Sequence, residues 1–243
     1  MPFTFSHPAI IIPVYKFFPR WVSLTCLISG SVAPDFEYFI RMRLQGNIGH
    51  TFPGLFSFDL PLGIFLAFLF HNVVRNPLIA NSPELVRQKL GDYRFFNWNL
   101  HFLNHWIIAI VSVLIGASSH LFWDGWTHRH GIFVEFIPML RTPVSIFGYV
   151  IPLYRVLQHV STLFGGALIV YYFFKIPNGA DSPGDRNRWY WPLIALIAIC
   201  IIILRFYLKS EEDFLSNLIV VSIAAVLISL VIVPFMLNKE KLD

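Results

Sequence analysis

Apolar residues follow one another in long runs along most of this chain, and polar residues gather between the runs. Five runs reach the roughly 20 residues that a helix needs to cross about 30 Å of hydrocarbon. They cover residues 55–74, 101–123, 157–175, 191–208 and 214–237. The pattern therefore predicts five transmembrane helices.

The N-terminal part has a different pattern. Two shorter apolar runs, at residues 8–18 and 21–33, are joined by Pro19 and Arg20, and neither can cross a bilayer alone. We predict a helical hairpin that packs against protein rather than lipid. The expected fold is an all-α, polytopic membrane protein with about five spanning helices plus this hairpin. We divide it into a membrane-embedded domain (1–175), a polar loop (176–190) and a C-terminal pair of transmembrane helices (191–243).

Composition agrees with a bilayer protein. Of 243 residues, 56% are hydrophobic, 17% are aromatic and only 13% are charged. The net charge of +4 is scattered, with no basic stripe interleaved with aromatic residues, so we expect no nucleic-acid partner and take the lipid bilayer as the partner. Basic residues are modestly more frequent on the side that holds the C-terminus, which favours a cytoplasmic C-terminus.

Several histidines and carboxylates fall on one membrane face when the spans are threaded in order. A carboxylate at this depth is costly and needs a partner, so their convergence in a chain with few charges indicates a metal site. His7 joins the group if the hairpin forms. The others are Asp35, His50, Asp59, His120, Asp124, His128 and His159.

The spacing of His120, Asp124 and His128 is i, i+4 and i+8. On a continuous helix His120 and Asp124 can reach one ion together, whereas His120 and His128 are separated by about 12 Å of helix rise. Either Gly125 breaks the helix, or Asp124 bridges two ions about 3.5 to 4 Å apart.

The same residues also have interpretations that do not involve a metal ion. Asp35 follows Pro34 and Asp59 precedes Leu60, so either aspartate can be a helix N-cap. His50 can be a ligand or part of a wet loop, and interfacial histidines can simply decorate the membrane boundary.

Five ordered blocks within residues 1–166 resemble a bacterial membrane family catalogued as domain of unknown function 4184. That family is in turn similar to the YdjM-type membrane-bound metal-dependent hydrolases and, more distantly, to zinc-dependent phospholipase C and related nucleases. This chain departs from the YdjM-type pattern in having Glu37 two residues after Asp35 and no His-Arg-Gly-Phe-Thr-His stretch. The blocks are "MPFTFSHPA", "GSVAPDFEYF", "GHTFPGLFSFDLPLG", "GASSHLFWDGWTH" and "PLYRVLQHVSTLFG".

The resemblance implies a metal-dependent hydrolase in the bacterial cytoplasmic (inner) membrane. From the threading of the spans we expect one or two zinc ions at the extracytoplasmic face, and a site at the interface favours a phosphate ester or phospholipid-type substrate. We expect Glu37 or His159 to act as general base or to orient the ligands. The alternative is a non-catalytic protein that uses the same residues for structural metal binding, partner docking or ion passage. The metal ligands that the resemblance implies are His7, Asp35, His50, His120, Asp124 and His128.

Overall fold

The computed structural model describes residues 3–146, 148–179, 186–208 and 214–239, and these are almost entirely helical. Short 3-10 helices cover Thr4–Ile11, Gly91–Phe95 and Pro138–Arg141. The helices and strands are α1 Ile12–Phe17, α2 Leu24–Arg41, α3 Phe52–Asn81, α4 Glu84–Leu90, α5 Trp98–Thr127, α6 Ile132–Phe136, β1 Pro143–Ile146, β2 Tyr149–Pro152, α7 Leu153–Lys175, α8 Tyr190–Leu208 and α9 Phe214–Lys239. The strands β1 and β2 form an antiparallel hairpin.

The predicted spans are confirmed. Within the described residues, five helices are long and apolar enough to cross a membrane, so the chain is an integral membrane protein of the all-α class. These spans are Phe52–Asn81, Trp98–Phe136, Leu153–Lys175, Tyr190–Leu208 and Asn217–Leu237.

The chain folds into two compact units, each assembled from separate stretches of sequence. The first unit comprises Met1–Asp35, Asn47–Ile64 and His105–Lys175. The second comprises Phe36–Gly46, Phe65–Asn104 and Ile176–Asp243. All six predicted metal ligands belong to the first unit.

Both N-cap interpretations are wrong. Asp35 lies in the middle of α2, which continues through Pro34 to Arg41. The apolar periodicity continues past Asp35, where Phe39 packs in a buried cluster, and this packing favours a longer helix. Thr51, rather than Asp59, caps α3, because its hydroxyl accepts a hydrogen bond from the Gly54 amide at 3.0 Å. Asp59 closes a π-helical turn inside α3 and is fully buried.

In the first unit α2 and α5 approach each other at two glycines. A Cβ atom on Gly30 would lie 2.2 Å from the carbonyl oxygen of Val113, and one on Gly116 would lie 2.3 Å from that of Leu27. Real side chains cannot occupy such positions, so only glycine permits the two backbones to touch. Small residues of this kind are the usual means of close helix packing in membranes.

Gly30→Ala is therefore expected to destabilise the protein by about 1–3 kcal/mol, because the new methyl group meets backbone rather than a movable side chain. Thermal unfolding in detergent, followed by tryptophan fluorescence, measures the change. Gly166→Ala in α7 is the matched control, since its Cβ would have no atom within 4 Å and alanine favours a helix. An unchanged melting temperature for Gly30→Ala would contradict the close contact.

Candidate functional site

Six side chains converge in the first unit, and we call them the His/Asp cluster. They come from four parts of the chain: the 3-10 helix Thr4–Ile11, α2, the residues before α3, and α5 with the turn that follows it. Three of the side chains are almost completely buried, whereas those of His50 and His128 remain 24% and 31% exposed. The members are His7, Asp35, His50, His120, Asp124 and His128.

Four ligand atoms of the cluster face one another. The Nε2 atom of His50 lies 3.3 Å from Oδ1 of Asp35 and 3.4 Å from Oδ2 of Asp124. The Nε2 atom of His120 lies 3.6 Å and 3.3 Å from the same two oxygens. Each imidazole nitrogen thus sits beside both carboxylates.

These separations suit a shared cation. Nitrogen and oxygen ligands about 2.0–2.1 Å from a tetrahedral zinc ion lie roughly 3.3–3.4 Å apart. A direct hydrogen bond between such groups is shorter, at about 2.7–3.0 Å. Two sets of three residues in the cluster bring their ligand atoms within 4.8 Å of one another, close enough to hold one ion. The sets are His7, Asp35 and His120, and His50, His120 and Asp124.

Asp124 presents its second oxygen to a different pair of histidines. Its Oδ1 atom lies 3.6 Å from Nε2 of His7 and 3.3 Å from Nδ1 of His128. Helix α5 ends at Thr127, and in the turn that follows the amide of His128 still bonds to the Asp124 carbonyl. His120 and His128 therefore contact opposite oxygens of one carboxylate, which is the arrangement that a bridging aspartate requires.

His120 is oriented by the backbone of α2. Its Nδ1 atom lies 2.7 Å from the carbonyl oxygen of Ser31, and because a carbonyl can only accept, Nδ1 carries the hydrogen. The Nε2 atom then faces the two aspartates without a hydrogen-bond partner in the described structure. Metal-binding histidines commonly donate their other nitrogen to a carbonyl in this way.

Asp35 is oriented in a similar way. The hydroxyl of Thr4 donates to its Oδ2 atom at 2.5 Å, which leaves Oδ1 directed at His50 and His120. Sequence reasoning missed Thr4, although its position three residues before His7 on a 3-10 helix places both on one side of that helix.

Burial and neighbouring charged groups shift the pKa values of several side chains in the cluster. Burial, with the nearby His120, lowers the pKa of His7 to about 3, so this ring is neutral at physiological pH. Burial opposes the charged form of His50, but its contacts with Asp124 and Asp35 outweigh burial and raise its pKa to about 10. The Asp35 carboxyl is likewise held ionised against burial, chiefly by His120 and His50, so its pKa is lowered. The buried carboxylates of Asp35 and Asp124 lie close together, and this arrangement is stable only when positive charge lies beside them.

Thr4→Val is expected to weaken zinc binding by about tenfold to a hundredfold, because valine keeps the shape of threonine but releases the Asp35 carboxylate. Competition with a chromophoric chelator measures the affinity. Thr142→Val is the control, since the Thr142 hydroxyl donates to the Met139 carbonyl on the surface. Equal affinities of the two variants would show that Thr4 has no part in orienting Asp35.

The predicted catalytic residues lie outside the three-residue ligand sets. Glu37 is buried two residues after Asp35, about half a turn further round α2, and its Oε1 atom pairs with Arg41 at 2.9 Å. His159 is exposed near the start of α7. Their proposed roles as base or orienting group stay predictions. Asp59 is fully buried beside the loop that carries His50, since a Cβ on Gly49 would lie 3.3 Å from its Oδ1 atom.

Fold and site together define a class: polytopic helical membrane proteins with a buried histidine and aspartate cluster. The sequence profile of the family described as Domain of unknown function (DUF4184) matches residues 1–235, so the chain belongs to this family. Comparison with curated proteins and with solved structures finds no match.

Proposed function

We propose that this protein is a membrane-bound, metal-dependent hydrolase that acts on a phosphate ester or phospholipid-type substrate at the membrane interface. The observation that carries the proposal is the convergence of imidazole nitrogens on both oxygens of Asp124, at separations of 3.3 to 3.6 Å. When bound, a divalent ion supplies Lewis acidity, which activates water at neutral pH and stabilises the charge that develops on a phosphate ester.

The donor set fits zinc. It consists of imidazole nitrogens and carboxylate oxygens, which zinc binds readily, and the tetrahedral spacing discussed above agrees. Because Nδ1 of His120 is engaged by Ser31, His120 can offer one nitrogen to one ion only. One ion would be held by His50 and His120 together with the carboxylates of Asp35 and Asp124. A second ion would be held by His7 and His128 on the other oxygen of Asp124, which leaves it a position for water.

Exposure favours catalysis over a purely structural site. A structural zinc ion is usually enclosed by four protein ligands, whereas a catalytic ion keeps a position for water. In the His/Asp cluster the side chains of His7, Asp35 and His120 are at most 1% exposed, but those of His50 and His128 are 24% and 31% exposed. Solvent and substrate can therefore approach from the side of His50 and His128.

The position along the spans supports a substrate with a lipid tail. His50 precedes the first residue of the Phe52–Asn81 span by two positions, and His128 lies just beyond α5, in the last third of the Trp98–Phe136 span. A site at this level can receive a headgroup while the tail stays in the bilayer. The resemblance of the sequence blocks to YdjM-type hydrolases points to the same reaction class, and we propose that the protein lies in the bacterial inner membrane with a cytoplasmic C-terminus.

Hydrolysis assays on metal-loaded protein test the proposal. The substrates are bis(p-nitrophenyl) phosphate and a short-chain phospholipid, measured before and after chelation with 1,10-phenanthroline and after readdition of zinc or manganese. We expect turnover that chelation removes and metal restores. His50→Ala should lose it, while His130→Ala should keep it, because the His130 side chain is 83% exposed and outside the cluster.

Metal-loaded protein that hydrolyses neither substrate would overturn the proposal. Together with a melting temperature that depends on metal, that result would establish the non-catalytic alternative, in which the cluster binds metal to hold the helices.

A further inference from the structure

The second unit contains a cavity of about 600 Å³ that has no part in the His/Asp cluster. Its lining combines two cations and several amides with apolar side chains such as Phe235 and Leu237. The polar lining residues that matter here are Asn72, Asn76, Asn81, Arg94, Arg186 and Tyr190.

The cavity lies where three spans of this unit end. Asn81 is the last residue of α3, Tyr190 is the first residue of α8, and Leu237 closes the Asn217–Leu237 span. Hydrogen bonds join these ends, because the Asn81 side chain accepts from the Asn187 amide at 2.8 Å and its carbonyl accepts from the Trp191 indole at 2.7 Å. The cavity therefore lies at the ends of these three spans, where a span of this length is expected to meet the lipid headgroups.

Two guanidinium groups give the cavity positive charge. Neither Arg94 nor Arg186 makes an ion pair with a carboxylate in the described part of the chain, and Nε of Arg94 is buried without a hydrogen-bond partner there. Arg75 fixes the backbone that carries Arg94 by donating to the carbonyl oxygens of Arg94 and Phe96, at 3.0 and 2.8 Å. The backbone of Arg94 is thus held in place, and no carboxylate among the described residues neutralises the two guanidinium groups.

Tyr190 adds an unused donor. This residue is fully buried in the wall of the cavity, and its hydroxyl has no hydrogen-bond partner among the described residues. A buried hydroxyl that is left unsatisfied is unfavourable, so the group is suited to a ligand oxygen. Two guanidinium groups and a hydroxyl match the tetrahedral oxygens of a phosphate, which arginine binds through paired N–H groups.

We propose that this cavity is a binding site for a phosphate group, carried by a lipid headgroup or by a soluble phosphate ester. The site is separate from the proposed hydrolytic centre, and binding does not require metal.

The test uses the full-length protein purified in dodecyl maltoside. Native mass spectrometry and thermal-shift titration compare three ligands: dihexanoyl phosphatidate, dihexanoylglycerol with the same tails and no phosphate, and sodium phosphate. Phosphatidate should bind and dihexanoylglycerol should not. Arg94→Gln and Arg186→Gln should each weaken phosphatidate binding by about tenfold.

Two further variants separate ligand binding from folding. Arg188→Gln removes a nearby cation that stacks on Trp189 outside the cavity lining, so it should bind phosphatidate like the wild type. Tyr190→Phe removes only the hydroxyl and should weaken binding severalfold while the protein stays monodisperse in gel filtration.

Competition between phosphatidate and sodium phosphate also identifies the molecule that carries the phosphate. Sodium phosphate that displaces phosphatidate at equal concentration would support a soluble ligand, whereas phosphatidate that resists a large excess of sodium phosphate would support a lipid headgroup. Equal binding of dihexanoylglycerol, or wild-type affinity in both Arg94→Gln and Arg186→Gln, would overturn the proposal.

Discussion

Asp124→Asn is expected to leave the purified protein almost without zinc and to lower its hydrolytic rate by about a thousandfold, equivalent to roughly 4 kcal/mol at the reacting centre. Asparagine keeps the size of the side chain but removes the negative charge and replaces one oxygen with an NH₂ group, which cannot bind a metal. Since Oδ2 faces His50 and His120 while Oδ1 faces His7 and His128, one substitution disables both halves of the cluster.

Elemental mass spectrometry of wild type and variant measures the metal. Asp92→Asn is the matched control, because it makes the same chemical change at an exposed carboxylate outside the cluster. Both proteins should insert and elute alike in gel filtration. Full zinc occupancy in Asp124→Asn would contradict the bridging position of this residue.

Removing the metal from wild-type protein is expected to lower its melting temperature by about 10 °C. A ligand present at a thousand times its Kd stabilises the folded state by about 4 kcal/mol, and each kcal/mol moves the melting temperature of a chain of this size by roughly 2–4 °C. The physical reason is that Asp35 and Asp124 are buried and close to the same imidazole nitrogens, so loss of a bound cation leaves carboxylate charge in the cluster poorly compensated.

Intrinsic tryptophan fluorescence during heating, with and without chelator, gives the comparison. Asp124→Asn should melt at the same temperature in both conditions because it has no metal to lose. Complete metal removal without any change in the wild-type melting temperature would show that the cluster contributes nothing to stability through a bound ion.

The spans were predictable because a bilayer enforces a simple rule: a crossing segment must be helical and apolar over about 20 residues. Their ends were less predictable. The span expected at residues 55–74 extends over Phe52–Asn81, since a Thr51 cap begins it earlier and the polar segment Arg75–Asn81 continues the helix. Helices end according to caps and tertiary packing as well as hydropathy.

The His/Asp cluster was partly predictable from the i, i+4 spacing of His120 and Asp124, which a helix converts directly into proximity. The return of His128 depends on a turn beyond Thr127, and the orientation of His120 depends on the main-chain carbonyl of Ser31. A carbonyl is present at every residue, so its role leaves no mark in the sequence. The metal ligand roles themselves stay predictions.

The glycine contacts between α2 and α5 also fix the positions of ligands in the His/Asp cluster. Asp35 lies five residues beyond Gly30 on α2, and His120 lies four residues beyond Gly116 on α5. At about 1.5 Å of rise per residue, these ligands are about 7.5 Å and about 6 Å along their helices from the glycine contacts. A tilt of roughly 10° between the helices would therefore displace a ligand by about 1 Å, half the length of a typical zinc–nitrogen bond. A methyl group added at Gly30 or Gly116 is therefore expected to alter metal affinity as well as stability. The two glycines set the distance between the helices, and with it the distance between the Asp35 carboxylate on α2 and the His120 imidazole on α5.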